Sequence, residues 1–256
     1  GGDKEQVDVC NGSIREWGGY GIDGESAVWS TVRLVHIRRV GQNGAFRRGT
    51  IQLRADGVIA DCVVRDSSGA VACNERGLIA RCIANNNDPG GFFMVRDGLL
   101  TDCEAVGVNG GGFVIQAGGF FVRCYARYCN GGGFTLINGA AALDCTALDC
   151  VWGFDARGGG CRVERCSAVY CSAWGVIVAD GDGGTLIDQV AVSHCAAGVQ
   201  IAGPGHMVRR TTVASASGTP FSIAPGNSHG PIVNVAGVGD ISSVAGANHP
   251  WANFIY

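Results

Sequence analysis

Lysine is almost absent from this chain, and long apolar runs are absent altogether. Lys4 is the single lysine beside 18 arginines, and the net charge is −3. This balance indicates neither a polyanion-binding nor a polycation-binding protein, so we expect no nucleic-acid partner. No run of 18 apolar residues occurs, so no transmembrane span is predicted. The first six residues lack the apolar core of a signal peptide, and an exported chain would have lost its signal by processing.

What the chain does contain is an internal repeat. Its most regular members are six cysteines at spacings of 20, 21, 21, 21 and 21 residues, Cys62, Cys82, Cys103, Cys124, Cys145 and Cys166. A fixed period near 21 is typical of a chain wound from similar coils. Eight or nine residues after each of the later cysteines, a glycine opens an apolar segment, as in Gly91-Phe92. Because glycine tolerates unusual backbone angles, we assign these glycines to coil corners. The phenylalanines that follow should stack, namely Phe92, Phe113, Phe134 and Phe154.

The residues just before the cysteines are charged, with alternating sign. The series is Asp61, Arg81, Asp102, Arg123, Asp144 and Arg165, and it is expected to continue through Asp188 and Arg209. In a parallel sheet, equivalent residues of successive coils stack roughly 4.8 Å apart. Every Asp would then lie between two Arg, and a shift by one coil would oppose like charges. Exposed pairs contribute little stability, so this ladder predicts architecture and says nothing of catalysis.

Thirteen cysteines would ordinarily indicate a disulfide scaffold. Here they keep phase with Ala, Val and Phe, which predicts free thiols packed inward as small hydrophobes. A second file, Cys129, Cys150 and Cys171, follows the first by five residues. Stacked cysteines lie within disulfide reach, but their parallel side chains would strain the bridge. Zinc is the other alternative, although structural zinc sites usually show Cys-x2-Cys spacing and this chain has Cys-x4-Cys.

We therefore predict an all-β fold, a right-handed parallel β-helix (a solenoid) with coils of about 21 residues. Nine or ten coils should occupy residues 1–217, followed by an extended C-terminal tail over 218–256. The last 46 residues have no Cys, Lys, Arg or Glu. Trp251, Phe254 and Tyr256 would be costly to expose together, so the tail should pack on its own solenoid or on a neighbouring subunit. Contact with a neighbour would not close on itself and would build a homo-oligomeric fibre.

The repeats resemble the right-handed parallel β-helix family, in the broad pectate-lyase-like and NosD-like sense. Segments 11–19, 227–233 and 248–254 resemble those of bacterial β-helix repeat proteins of unknown function. The resemblance implies the fold for nearly the whole chain. It does not select an activity, because β-helices serve as lyases, hydrolases, epimerases, adhesins and inert fibres.

Few residues carry the chemistry of those enzymes. Tyr20 and Asp23 are candidates for acid–base catalysis, because Tyr-Gly-Ile-Asp is similar to a uronan epimerase segment, but the histidine of that segment is missing. Asp180 and Asp182 are candidates for a Ca²⁺ site, with an ordinary solvated turn as the alternative. The ladder carboxylates lie two coils apart, roughly 10 Å, which is too far to share calcium as in a lyase.

Aromatic residues suggest a carbohydrate-binding edge. Trp152 and Trp174 precede the repeat glycine on consecutive coils, and Tyr128 and Tyr170 lie near the same edge. Rings that pack a turn without any ligand are the alternative. The sequence favours a non-catalytic, extracellular or cell-surface structural or adhesive protein without a cofactor. The alternative is a carbohydrate-active enzyme, lyase-like or epimerase-like, or a carbohydrate-binding β-helix with a polysaccharide partner.

Overall fold

The protein is a parallel β-solenoid, as the repeat predicts. The structure, a computed structural model, describes residues 6–41, 50–179 and 181–256, and the regular elements in these ranges are all β-strands. The chain winds through about eleven right-handed coils. Nine or ten were predicted, and strands after residue 217 account for the difference.

Strands are numbered in chain order and fall into three rows. Row A is a ten-stranded parallel sheet made of β2 (Ile22–Gly24), β4 (Ile51–Ala55), β7 (Val71–Glu75), β10 (Gly90–Arg96), β13 (Gly111–Ala117), β16 (Gly132–Ile137), β19 (Trp152–Arg157), β22 (Trp174–Val178), β25 (Ala197–Ile201) and β28 (Phe221–Ile223).

Rows B and C form the 21-stranded sheet, in which β1 (Asp8–Arg15) and β3 (Thr31–Arg38) run through both rows. Row B continues with β5 (Val58–Ala60), β8 (Leu78–Ala80), β11 (Leu99–Thr101), β14 (Phe120–Val122), β17 (Ala141–Leu143), β20 (Arg162–Glu164), β23 (Leu186–Asp188), β26 (Met207–Arg209) and β29 (Ser228–His229). Row C continues with β6 (Val63–Arg65), β9 (Ile83–Asn85), β12 (Glu104–Val106), β15 (Tyr125–Arg127), β18 (Thr146–Leu148), β21 (Ser167–Val169), β24 (Ala191–Ser193), β27 (Thr212–Ala214), β31 (Asn253–Ile255) and β30 (Ile232–Asn234).

The three rows enclose one apolar interior. The predicted phenylalanine stack is confirmed, with ring centroids 4.9, 4.8 and 5.0 Å apart and nearly parallel planes from Phe92 to Phe154. All thirteen cysteines are free thiols, and all but the exposed Cys10 are buried. Burial raises the pKa of the Cys103 thiol, and it raises the pKa of Cys73 to about 11. These two thiols are therefore protonated at neutral pH and poor nucleophiles.

A single left-handed residue makes each corner between rows B and C. Asp61 (φ +55°), Arg81 (φ +51°) and their counterparts hold this position. Arg81, Arg123 and Arg165 each donate two hydrogen bonds, of 2.7 to 3.0 Å, to the Asp of the preceding coil. These bonds hold the pKa of the Asp carboxyls below its usual value.

The ladder assignment was wrong by one residue in the last coils. Asp188 pairs in register with Glu164, and Arg209 pairs with Asp188, so both lie within row B. Gln189 (φ +54°) and Arg210 (φ +50°) occupy the corner instead. Val190 and Thr211 then take the cysteine position and are buried. The coil from Arg165 to Gln189 spans 24 residues instead of about 21, and this longer spacing caused the error.

The reason given for the repeat glycines also needs correction. Gly91 and its counterparts do not have left-handed backbone angles. A Cβ atom at Gly91 would lie 2.5 Å from the carbonyl oxygen of Gly112 and 3.0 Å from the Cβ of Ala105. Glycine is required there because successive coils approach closely.

Inward residues at the three kinds of corner form files along the solenoid. The file between rows A and B begins with four glycines and continues with larger residues, in the order Gly57, Gly77, Gly98, Gly119, Ala140, Cys161, Thr185, His206 and Asn227. The file between rows B and C is the cysteine file, which ends in Val190, Thr211 and Asn253. Both files therefore change from small or apolar residues to hydrogen-bonding ones.

The C-terminal segment folds onto its own chain. Strand β31 pairs in parallel with β27 and with β30. Asn253 is completely buried, its Oδ1 accepts the N–H of Thr211 at 3.0 Å, and its Nδ2 donates to the carbonyl of Gly230 at 3.1 Å. The segment thus adds its last strand to row C of this molecule.

Candidate functional site

The outer face of row A carries a groove near its N-terminal end. The groove has a volume of about 370 Å³ and crosses β4, β7 and β10. Strand alternation creates it: in β4, Ile51 and Leu53 point inward and are buried, while Gln52 is half-exposed on the outer face. Register then places Ala72 and Phe93 beside Gln52 on the next coils.

A second pocket, of about 360 Å³, continues from this groove toward the corner between rows A and B. Asn74 lines both. At the far end stands Trp29, which is 64% exposed and has a left-handed backbone angle of +58°. We call the combined surface from Phe93 through Asn74 to Trp29 the row A groove.

Uncharged amides and an acid group form the polar part of the row A groove. The Gln52 side-chain amide donates to Glu25 Oε1. The backbone N–H of Glu25, which lines one end of the groove, donates to Asp23 Oδ1 at 3.1 Å, so the Asp23 carboxylate lies beside that end. Asp23 also pairs in register with Gln52.

Three of the four charged side chains that line the Trp29 end, those of Asp56, Glu75 and Arg76, pair with one another. Arg76 donates to both carboxylate oxygens of Asp56, at 2.9 and 2.8 Å. This hydrogen bond lowers the pKa of Asp56 and keeps it ionised. Glu75 lies 3.7 Å from Arg76 and 3.6 Å from Arg96. The groove thus offers two aromatic faces, amides and compensated charges, which suits a ligand with hydroxyl groups and no net charge.

Neither of the predicted catalytic residues lines this groove. Asp23 is exposed on β2 beside the lining residue Glu25, whereas Tyr20 precedes the strand and is half-buried. The sequence did not identify Trp29, Asn74 or Phe93 as candidate site residues. None of the three belongs to the repeat signature, and the doubled Phe92-Phe93 was the one local sign of an apolar residue on the outer face.

The four predicted aromatic residues form a separate surface farther along the solenoid. Trp152 and Trp174 begin β19 and β22 and are half-buried. Tyr128 and Tyr170 occupy corners between rows C and A, are 47% and 53% exposed, and stand two coils apart. The guanidinium of Arg127 covers the Tyr128 ring at 4.3 Å, and the His194 ring lies 4.9 Å from that of Tyr170.

The predicted metal and assembly residues are placed as follows. Asp180 lies outside the described residues, and Asp182 is exposed in the turn that follows. Within the described ranges, no three His, Cys, Asp or Glu side chains converge to hold a metal ion. Trp251 and Tyr256 are 45% and 54% exposed, while Phe254 is half-buried in β31. No helix in the described part of the chain is long and apolar enough to span a membrane.

Comparison with known proteins finds similarity in structure only. No family model and no curated protein matches the sequence. Two solved structures share the fold: the catalytic domain of a GH87 α-1,3-glucanase in complex with tetrasaccharides (TM-score 0.54, 8% identity) and the catalytic unit of a thermostable GH87 α-1,3-glucanase from Streptomyces thermodiastaticus (TM-score 0.53, 13% identity). Each alignment covers 80% of this chain but only 54% and 51% of the other chain. The chain therefore spans about half the length of these β-helix domains, and the likeness is one of fold.

Proposed function

We propose that this chain is a polysaccharide-binding β-helix that holds a neutral glycan in the row A groove. The observation that carries the proposal is the continuity of the two pockets through Asn74. It sets the indole of Trp29 and the phenyl ring of Phe93 on either side of amide and carboxylate groups. Sugar rings present an apolar face and a rim of hydroxyls, and this combination of surfaces binds both.

The charge pattern favours a neutral glycan over a uronate polymer. Arg76 is already engaged by Asp56, so its guanidinium is not free to bind the carboxylate of a uronate. Two proteins with the same fold are α-1,3-glucanases, and one was solved with tetrasaccharides. We therefore take α-1,3-glucan as the first ligand to test. A glycan ligand of this kind is also consistent with the extracellular or cell-surface location that the sequence predicts.

The test is titration of the intact chain with α-1,3-linked tetrasaccharide, followed by calorimetry or chemical-shift changes. Trp29→Ala removes one aromatic face and should weaken binding by about tenfold, as expected for loss of one stacking contact. Tyr170→Ala is the matched control, because Tyr170 is also an exposed aromatic residue at a left-handed corner (φ +54°). Its affinity should equal that of the wild type.

Two outcomes would contradict the proposal. If Tyr170→Ala weakens binding and Trp29→Ala does not, the ligand lies on the Trp152, Trp174, Tyr128 and Tyr170 surface instead. If polygalacturonate competes for the groove as well as the neutral tetrasaccharide does, charge pairing does not select the ligand.

Hydrolysis is a second candidate function, because Glu25 lines one end of the groove and the Asp23 carboxylate lies beside it. Glycoside hydrolysis requires such a pair on either side of the bond. Reducing ends released from α-1,3-glucan and abolished by Glu25→Gln would establish it. Unsaturated uronate products abolished by Tyr20→Phe would instead favour a lyase-like reaction. Binding without either product leaves the chain a non-catalytic module.

Fibre assembly through the tail stays a prediction. The exposed rings of Trp251 and Tyr256 favour it, although β31 already pairs within its own chain. Trp251→Ser with Tyr256→Ser leaves the buried Asn253 in place, so it tests assembly without removing the last strand. Light scattering should show loss of mass if the tail joins subunits, and an unchanged mass would contradict it.

A further inference from the structure

Three arginines stack on consecutive coils at the N-terminal end of row C. Arg15 of β1 pairs in register with Arg38 of β3, and Arg38 pairs with Arg65 of β6. All three are exposed, and the coil spacing is roughly 4.8 Å. Like charges directly opposite each other in a sheet repel. This arginine column therefore breaks the alternation that the Asp and Arg ladder keeps at the corner between rows B and C.

The column is only partly neutralised. Arg38 Nε lies 3.1 Å from Asp66 Oδ2, and the neighbouring Arg39 lies 3.4 Å from Glu16. Among the residues that the structure describes, no carboxylate forms an ion pair with Arg15 or Arg65. Two guanidinium groups on either side of Arg38 thus keep their full charge and their hydrogen-bond donors.

The column borders a groove of about 280 Å³ that is lined by Arg15, His36, Ile37, Arg38, Val63 and Arg65. Guanidinium groups bind carboxylates and sulfates through two parallel hydrogen bonds, and a planar fork suits such anions better than an ammonium does. Val63, which pairs in register with His36, adds a half-exposed apolar surface to the lining. The groove therefore combines guanidinium groups that can bind anions with an apolar surface against which the apolar face of a ring can pack.

We propose that the arginine column binds an acidic polysaccharide, with one carboxylate or sulfate to each coil. The repeat of one charge per coil matches a polymer with one charge on each sugar. Proteins that bind single-stranded nucleic acid stack its bases on aromatic side chains, and the lining residues include no Phe, Tyr or Trp. The column lies on row C, whereas the proposed neutral glycan lies on row A, so the two sites are separate.

The test is calorimetric titration of the intact chain with polygalacturonate at low and moderate salt. Arg15→Gln with Arg65→Gln removes the two unpaired forks, and affinity should fall by about tenfold, with a weaker dependence on salt. Arg123→Gln with Arg165→Gln is the matched control. It makes the same change in net charge within the alternating ladder, and affinity should change by no more than about twofold.

Several results would overturn this proposal. Equal losses in the two double variants would show that net charge alone attracts the polymer, and unchanged affinity in Arg15→Gln with Arg65→Gln would remove the site. Tighter binding of single-stranded DNA than of polygalacturonate would assign the column to nucleic acid.

The melting temperature separates a structural role from a binding role. Relief of repulsion should leave Arg65→Gln at least as stable as the wild type, whereas the melting temperature would fall if Arg65 had a structural role. Arg15→Lys with Arg65→Lys keeps the charge, loses the forks and should bind with intermediate affinity. Binding of the neutral tetrasaccharide should not change in any of these variants.

Discussion

The middle coils and the last coils satisfy the same backbone group in different ways. At two corners of the middle coils, a cysteine sulfur of the next coil accepts the backbone N–H, Cys166 Sγ from Cys145 at 3.4 Å and Cys195 Sγ from Cys171 at 3.3 Å. In the last coils, asparagine Oδ1 atoms accept these N–H groups, from His206 at 2.8 Å and from Thr211 at 3.0 Å. Sulfur is a weak acceptor and an amide oxygen a strong one. In the middle of the solenoid each coil lies between two others, and packing is enough to keep the corner in place. Near the end of the solenoid, hydrogen bonds keep the corner in place.

The largest expected effect comes from the buried amide of Asn253. Asn253→Ala would remove the acceptor of the buried Thr211 N–H and one donor to the Gly230 carbonyl, at a cost of about 3 kcal/mol in the free energy of unfolding. Urea denaturation measures it. Asn248→Ala is the control, because Asn248 is exposed and makes one 3.4 Å bond to the Ser242 carbonyl. Equal losses in the two variants would mean that the last coils do not depend on this bond.

A cysteine of the middle coils should matter less. Cys124→Ala removes a buried sulfur that bonds the Leu100 and Val122 carbonyls at 3.4 and 3.5 Å, and it leaves a small void. We expect a loss of about 1 kcal/mol, most of it from packing. Differential scanning calorimetry can compare it with Asn253→Ala. A larger loss for Cys124→Ala would reverse the ranking of the two corner types.

Acid should weaken the last coils before the middle ones. Burial lowers the pKa of His206, whose Nδ1 accepts the N–H of Thr185 at 3.3 Å in the neutral ring. Protonation removes that acceptor. The contribution of neutral His206 is therefore complete above the ordinary pKa of 6.5 and is lost as pH falls from there through the lowered pKa.

Hydrogen exchange of residues 185–229 between pH 7 and pH 5 measures this effect. Protection should fall in the wild type and change less in His206→Gln. His194→Gln, at an exposed histidine, should behave as the wild type. An identical pH profile in all three proteins would remove His206 from the explanation.

The smallest effect belongs to the exterior ladder. The side chain of Arg123 is 60% exposed, and its pair with Asp102 is screened by water and salt. Arg123→Gln should lower the melting temperature slightly at low salt and not at all in molar salt. A large loss that persists in salt would show that the ladder stabilises the coils as strongly as their interior does.

The sequence predicts the fold well because every coil repeats the same constraints. A cysteine, a small residue and a phenylalanine recur in phase, so a period of 21 identifies both the inward positions and the corners. Errors arose where the period changed. The longer coil before Asp188 shifted the ladder by one residue, and the last coil lacks cysteine, so its strands were assigned to an extended tail.

The candidate sites could not be predicted in this way, because they depart from the repeat. Arg15, Arg38 and Arg65 are separated by 23 and 27 residues, and only strand pairing brings them into one column. Asn74 and Phe93 lie on outward positions, where each coil carries a different residue. A function built on such positions leaves no periodic signal in a single sequence.

The graded file between rows A and B has a consequence for how this chain can change in length. Its early members are glycines whose space is filled from row A: a Cβ at Gly77 would meet the Cys73 sulfur at 2.1 Å, and one at Gly98 the Met94 sulfur at 2.5 Å. The coils in this part have nearly identical corners. One of them could therefore be duplicated or deleted in evolution without changing how neighbouring coils pack. The coils that contain Thr185, His206 and Asn227 each present a different corner and cannot exchange places. The solenoid should thus gain or lose length in its glycine-lined half, while its last coils stay fixed in order.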